Sequence, residues 1–208
     1  IGSQLSPIKT LSTLPPSIYV VGTAAATIIA AKIMSIIGRR LGFVLASVVG
    51  SISCLIGAYA IMVENFYIFC FAKFLLGATM AFTHQYRFAA AESVEKEKAP
   101  KAISSLLLAG IVAAFLGISL SNYTKSFVSD YLYVGSYLTL AILTIIPSFL
   151  LFFFKDIREV SIASNENIKS RNYLEFLSDP KFLQAITSAA FAYAVMSFLM
   201  TATPISMH

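Results

Sequence analysis

Five residues in one apolar stretch near the middle of the chain are the first candidates for chemistry. Lys73, His84 and Arg87 carry or can gain a positive charge, and Gly77 and Gln85 lie between them. At about 100° per residue on a regular helix, the three basic residues share a sector roughly 60° wide. Such side chains bind anions, and Lys and His can also exchange protons. We therefore predict that these five residues bind a ligand or carry protons.

The depth of Lys73 makes it the most informative of these residues. At a rise of about 1.5 Å per residue, it lies roughly 10 Å below the outer surface of a membrane span. A charge at that depth costs about 2.5 to 3.5 kcal/mol, so we expect Lys73 to face a watery cavity or a partner. The other two residues have simpler interpretations: Arg87 is close enough to the inner surface to snorkel, and His84 could hydrogen-bond a neighbouring helix.

Acidic residues are absent from the interior of the predicted spans. The carboxylates nearest to them stand at span ends or in loops: Glu64, Glu92, Glu95, Glu97 and Asp130. A carboxylate within the membrane is the usual proton carrier of a transporter. Our hypothesis is that the basic stripe either pairs with a carboxylate elsewhere in the protein or faces an anionic group of a substrate.

The composition identifies the elements that must hold these residues. The 208 residues are 58% hydrophobic and 12% charged, whereas soluble domains have about 25% charged residues. A large soluble core would need amphipathic helices, but these stretches are apolar nearly all round. We predict an all-α integral membrane protein with six spans of about 20 or more residues, at 14–37, 43–63, 66–90, 102–121, 132–154 and 182–206.

Lysine and arginine predict the orientation of the spans. The outer loops hold only Lys9 and Lys125, and the excess of basic residues in the alternate loops places those loops in the cytoplasm. Both ends of the chain are then expected on the outer face of the cell membrane. The basic residues of the cytoplasmic set are Arg39, Arg40, Lys96, Lys98, Lys101, Lys155, Arg158, Lys169, Arg171 and Lys181.

The spans are divided by one long polar segment. It covers 155–181, and the sequence predicts three parts: helices in 1–154, a cytoplasmic linker in 155–181 and a further helix in 182–208. Asp179 and Pro180 read as the N-cap and first position of that helix. Because the chain begins at Ile1 and the helices are unevenly divided, we expect it to be a piece of a longer protein.

Small residues recur at helical spacing and predict close helix packing. Such faces let backbones approach in lipid, which provides no hydrophobic drive for association. A substrate path lined by bare backbone is the rarer alternative. Pro147 and Pro204 lie inside spans, where each removes a backbone hydrogen bond. The packing glycines are Gly50, Gly57, Gly110 and Gly117, and Gly22, Ala26 and Ala30 form a similar face.

Several other functions are not favoured by the sequence. Cys54 and Cys70 have no metal-ligand or redox spacing, so we expect neither a metal site nor a cofactor. His84 and His208 stand apart, without the paired ligands or carboxylates of a membrane enzyme. The net charge of +5 is explained by cytoplasmic loops, so a nucleic-acid partner is not expected.

Two short motifs resemble the major facilitator superfamily (MFS). The sequence around Gly38, Arg39 and Arg40 resembles the second half of the family's cytoplasmic signature GxxxDRxGRR, although Ser35 replaces its Asp. Lys73 and Gly77 resemble the RxxxG pattern of the fourth helix, with Lys in place of Arg. The resemblance covers essentially the whole chain and is nearest to bacterial permeases of unassigned substrate.

The resemblance implies a fold and a function. The chain would supply helices two to seven of a twelve-helix transporter in a bacterial inner membrane, acting as a monomer by alternating access. Its partners would be the lipid bilayer and a small solute, anionic if the basic stripe binds it, with protons or another ion as coupling partner. Gly38, Arg39 and Arg40 would form a cytoplasmic gating loop. A non-transporting membrane scaffold or assembly subunit is the alternative.

Overall fold

The residues that the structure describes fold into helices, and the first four of these helices are joined by short turns. The computed structural model describes Leu5 and residues 11–95, 97–128, 131–152 and 180–206, and within them it has no β-strand. The helices of these residues are α1 Leu14–Ile37, α2 Arg39–Met62, α3 Phe66–Thr83, α4 Tyr86–Glu92, α5 Ala99–Thr124, α6 Val134–Phe152 and α7 Pro180–Ser206.

Five segments of the described residues are long and apolar enough to cross a membrane. They comprise α1, α2, the pair α3 and α4 taken together, α5 and α6. In α7 the apolar stretch Phe182–Phe198 is shorter. The predicted all-α membrane class is confirmed, and the helix positions agree with the predicted spans to within a few residues, except at the start of α2.

Local sequence explains where the helices begin and end. The Asn65 side chain accepts hydrogen bonds from the amides of Tyr67 and Ile68, at 3.0 and 3.2 Å, and so caps α3. Gly38 separates α1 from α2 with φ 88°, a conformation that other residues rarely adopt. Pro15 is the second residue of α1, where its missing N–H removes no helical bond.

Two expectations about these elements are corrected by the structure. Arg39 and Arg40 are the first residues of α2 and not part of a loop, because one glycine suffices for the turn. The third span is interrupted at His84 and Gln85, where the Gln85 amide bonds to the Phe82 carbonyl three residues back. This tighter spacing is typical of a 3₁₀ turn, which separates α3 from α4.

Helices α1 to α6 form one bundle, which contains two apolar clusters. Helix α1 packs on α3, and α2 packs on both α3 and α6. We name the clusters after their aromatic members. The Tyr137 cluster contains Cys54, Ala58, Ala60, Ile61, Phe69, Val134, Tyr137 and Ala141. The Phe43 cluster contains Ala26, Ala30, Met34, Phe43, Ala81, Phe82 and Ala89.

Helix α5 lies at the edge of the bundle, where it contacts α4 and α6. Contacts divide the chain into two compact units, Ile1–Ser161 and Ile162–His208. The first contains α1 to α6 and the second contains α7. Almost all of the predicted linker, residues 155–179, lies outside the described residues, and so does Asp179, whereas Pro180 is the first residue of α7.

Candidate functional site

Lys73 lies between two aromatic rings in the membrane bundle. Its Nζ is 5.5 Å from the ring centre of Phe69 and 5.2 Å from that of Tyr137. The two rings meet edge to face with centres 5.9 Å apart. Cations over aromatic faces gain about 0.5 to 2 kcal/mol, more when water is excluded. The rings therefore offset part of the desolvation of this charge.

Besides the two rings, Lys73 has a polar neighbour, the thiol of Cys54. The Cys54 thiol lies within electrostatic reach of the ammonium group, and no carboxylate of the described residues pairs with it. The side chain is half-buried and not enclosed. Such a group can bind an anion or a planar aromatic molecule while it keeps its own ring contacts.

Sequence reasoning missed the two rings, for different reasons. Phe69 precedes Lys73 by four residues, so helical spacing alone could have identified it. Tyr137 belongs to α6, 64 positions further along the printed sequence, and nothing near it indicates contact with a lysine. Only the packing of α6 on α2, which itself packs on α3, brings this ring to the charge.

Gly77 lies at the closest approach of α1 and α3. A Cβ placed there would be 2.9 Å from the carbonyl carbon of Tyr19, and nearer still to its oxygen. The Thr23 hydroxyl shares its one proton between the Gly77 carbonyl at 2.9 Å and the Tyr19 carbonyl at 3.0 Å. Gly22 makes the reciprocal approach to Phe74. Gly77 is thus buried against another backbone.

The remaining members of the basic stripe lie at the helix break. His84 and Gln85 are half-buried and occupy the turn itself, while Arg87 is exposed on α4. Arg87 lies close enough to His84 to interact with it electrostatically. The uniform helix assumed for the stripe therefore stops at Thr83, and Lys73 is separated from the other two basic residues by a change of backbone geometry.

Arg39 and Arg40 hold two different helix ends. Arg39 donates to Glu92 at 2.6 Å, which joins the start of α2 to the end of α4. Arg40 donates through Nε to the Leu151 carbonyl at 2.9 Å and through Nη2 to the Phe152 carbonyl. Its guanidinium carbon is 5.6 Å from the centre of the Phe152 ring. A cation there binds the last carbonyls of α6 and complements the helix dipole.

The predicted packing glycines have unlike surroundings. At Gly57 a Cβ would be 2.7 Å from the Tyr137 ring, and at Gly50 it would be 3.6 Å from the Thr79 hydroxyl. At Gly110 and Gly117 it would meet no described atom within 4 Å. Both belong to the edge helix α5, so their packing role stays a prediction. Within the described residues, no three metal-ligating side chains gather.

Comparisons with known proteins agree with this architecture. A family model described as Major Facilitator Superfamily matches residues 2–208. The chain is 32% identical over 210 aligned positions to a protein named riboflavin transporter RfnT from Brucella anthropi, with all of this chain and 52% of the relative covered. The chain thus spans about half the length of that relative. No solved structure matches this chain. Because the family model covers nearly every residue, the chain belongs to the Major Facilitator Superfamily.

Proposed function

We propose that the full-length protein is a secondary transporter that moves a small solute across a cell membrane by alternating access. The family match supports transport, and the half-buried Lys73 is the observation that carries the choice of site. An ammonium group among apolar helices without a carboxylate is costly, and charges retained at such depth usually serve a function. The function proposed for Lys73 is contact with the solute.

Contacts between α1, α2, α3 and α6 support the movement of these four helices as one rigid body. The backbone contact at Gly77 joins α1 to α3, and the Ser53 hydroxyl donates to the Ala72 carbonyl at 2.6 Å, which joins α2 to α3. The Ser51 hydroxyl reaches the Ala141 carbonyl at 3.0 Å and adds α6. Rocking of such a body against a second one is the usual form of alternating access.

Riboflavin is the first solute to test, because the relative is named as a riboflavin transporter. Its planar ring system can stack on aromatic side chains, and its ring carbonyls can accept hydrogen bonds from an ammonium group. The earlier hypothesis of an anionic solute has a matched probe in riboflavin 5′-phosphate. The two compounds share one ring system and differ in charge.

The test is uptake of both flavins by proteoliposomes that contain the full-length protein. We expect uptake of one flavin above empty liposomes, and a lower rate in Lys73→Ala, with Lys101→Ala as the control at an exposed lysine. Preference for the phosphate ester would favour the anionic solute. Uptake of neither flavin would refute the substrate, whereas unchanged uptake in Lys73→Ala would refute the site.

Thermal unfolding gives an independent reading of binding. A ligand at a hundred times its Kd stabilises the folded state by about 2.7 kcal/mol. The transported flavin should therefore raise the melting temperature of the parent protein. It should leave the melting temperature of Lys73→Ala unchanged. A shift of equal size in both proteins would place the binding site away from Lys73.

The scaffold alternative makes an opposite prediction. Cysteine at positions 73 or 84 should react with an aqueous thiol reagent if these positions line a watery path. In a scaffold whose helices face lipid and one another, both positions would stay unreactive. Both are half-buried, so the label reports water access and not simple surface exposure. Loss of reaction when the solute is added would further support the transporter.

A further inference from the structure

The charge at the proposed solute site is carried by a flexible side chain. Lysine ends in a compact ammonium group on a long stem with several rotatable bonds, and no carboxylate of the described residues pairs with Lys73. If the ammonium group were free to move, binding of a solute would include the cost of ordering the stem. A contact that fixes the ammonium group before the solute arrives therefore strengthens binding.

The two aromatic rings beside Lys73 are themselves fixed by burial. Phe69 and Tyr137 are only 2% and 7% exposed, and their rings meet edge to face. Phe69 belongs to the same helix as Lys73, one turn earlier, so it cannot hold the ammonium group relative to another helix. Tyr137 belongs to α6. Its ring centre, 5.2 Å from Nζ of Lys73, therefore links the charge to a second helix.

Helix α2 sets the position of the Tyr137 ring. A Cβ on Gly57 would be 2.7 and 2.8 Å from two carbons of this ring, so a larger residue would displace it. The Ser51 hydroxyl donates to the Ala141 carbonyl at 3.0 Å, one turn from Tyr137, and ties α6 to α2. The ring is thus held by close contact with α2 and not by its own helix alone.

We infer that Tyr137 is a positioning residue, which holds the ammonium group of Lys73 in place for the solute, and that Gly57 sets the position of the Tyr137 ring. A cation is attracted by the face of the ring, so the hydroxyl of Tyr137 is not required. The effect of Tyr137 on uptake rests on the proposed function, whereas its hold on Lys73 exists without any solute. Because Tyr137 acts on binding through Lys73, its loss should raise KM and leave kcat nearly unchanged.

The first test measures uptake kinetics of riboflavin and riboflavin 5′-phosphate in proteoliposomes that contain the full-length protein. We expect Tyr137→Leu to raise KM by about two- to thirtyfold, the range set by a cation over aromatic faces. Tyr137→Phe keeps the ring and should retain a KM close to that of the parent. Gly57→Ala should also raise KM because its Cβ displaces the ring. Gly50→Ala is the control on the same helix, since its Cβ would be 3.6 Å from its nearest neighbour.

Two kinetic results would overturn the positioning role. A lower kcat with an unchanged KM in Tyr137→Leu would mean that Tyr137 only packs the bundle. An equal KM in Tyr137→Leu and Tyr137→Phe would mean that the ring does not act on the charge. If Tyr137→Leu fails to fold, the comparison of Gly57→Ala with Gly50→Ala decides the same question.

The second test needs no solute, so it remains decisive if neither flavin is transported. The lysines of the full-length protein are reductively methylated with isotopically labelled formaldehyde, which keeps their charge, and Lys73→Arg identifies the NMR signal of Lys73. Methyl groups over aromatic faces resonate upfield. The Lys73 signal should therefore lie upfield of the other lysines in the parent and in Tyr137→Phe, and should move towards them in Tyr137→Leu. An unshifted signal in the parent, or an unmoved one in Tyr137→Leu, would show that the ring does not hold the charge.

Discussion

Replacing Gly77 with alanine should separate α1 from α3. The new Cβ would be 2.9 Å from the Tyr19 carbonyl carbon, whereas carbon atoms pack at about 3.5 Å or more. The helices must therefore move apart by at least ~0.6 Å at this crossing to relieve the carbon contact, and by more to clear the nearer carbonyl oxygen of Tyr19. Because the obstacle is backbone, no rotamer change of a neighbour can relieve the contact.

The expected loss of stability has three parts. Overpacking of this kind costs about 1 to 3 kcal/mol. The hydrogen bond from Thr23 to the Gly77 carbonyl is 2.9 Å long and would lengthen beyond ~3.2 Å, where it is weak. Its loss would lower the stability of the protein by about 1 kcal/mol. Alanine regains up to about 1 kcal/mol of helix propensity. The net loss is then about 1 to 3 kcal/mol.

Gly50→Ala is the matched control. Gly50 is also buried within a membrane helix, but its Cβ would be an ordinary 3.6 Å from Thr79. The free energy of unfolding can be measured by titration with sodium dodecyl sulfate in mixed micelles. We expect Gly77→Ala to unfold well before Gly50→Ala. Equal midpoints for the two variants would refute the close approach of α1 and α3.

Three further predictions concern the helix ends and the Lys73 site. Gly38→Ala should destabilise the protein by about 1 to 2 kcal/mol because φ is 88° there; stability equal to the parent would show that the turn accepts another conformation. Arg40→Lys keeps the charge but not the two-point contact with α6, so we expect only partial recovery of the melting temperature lost in Arg40→Ala, and full recovery would mean that charge alone matters. Tyr137→Leu and Lys73→Met should be non-additive in unfolding, with a coupling of about 0.5 to 2 kcal/mol, and simple additivity would contradict the ring contact.

The sequence alone was enough to predict the membrane class and the positions of the helices. Runs of about 20 apolar residues can satisfy their backbone groups in lipid only as helices, so hydropathy carries this information directly. Gly38 could be recognised as a turn, and the basic residues beside it as a family motif. Counting residues along one helix also gave the predicted depth of Lys73, which stays a prediction. All of these features depend on neighbours in the chain.

Contacts between helices were decided by the tertiary structure. Neither the Tyr137 ring over Lys73 nor the hold of Arg40 on the end of α6 leaves a signal in the local sequence, because the partners are far apart in the chain. The break at His84 contains neither Gly nor Pro, so the local sequence does not predict that the helix is interrupted there. Small residues that look alike in sequence also diverge: Gly77 meets a backbone and Gly110 meets no described atom. Helical periodicity defines a face, but only packing determines what that face touches.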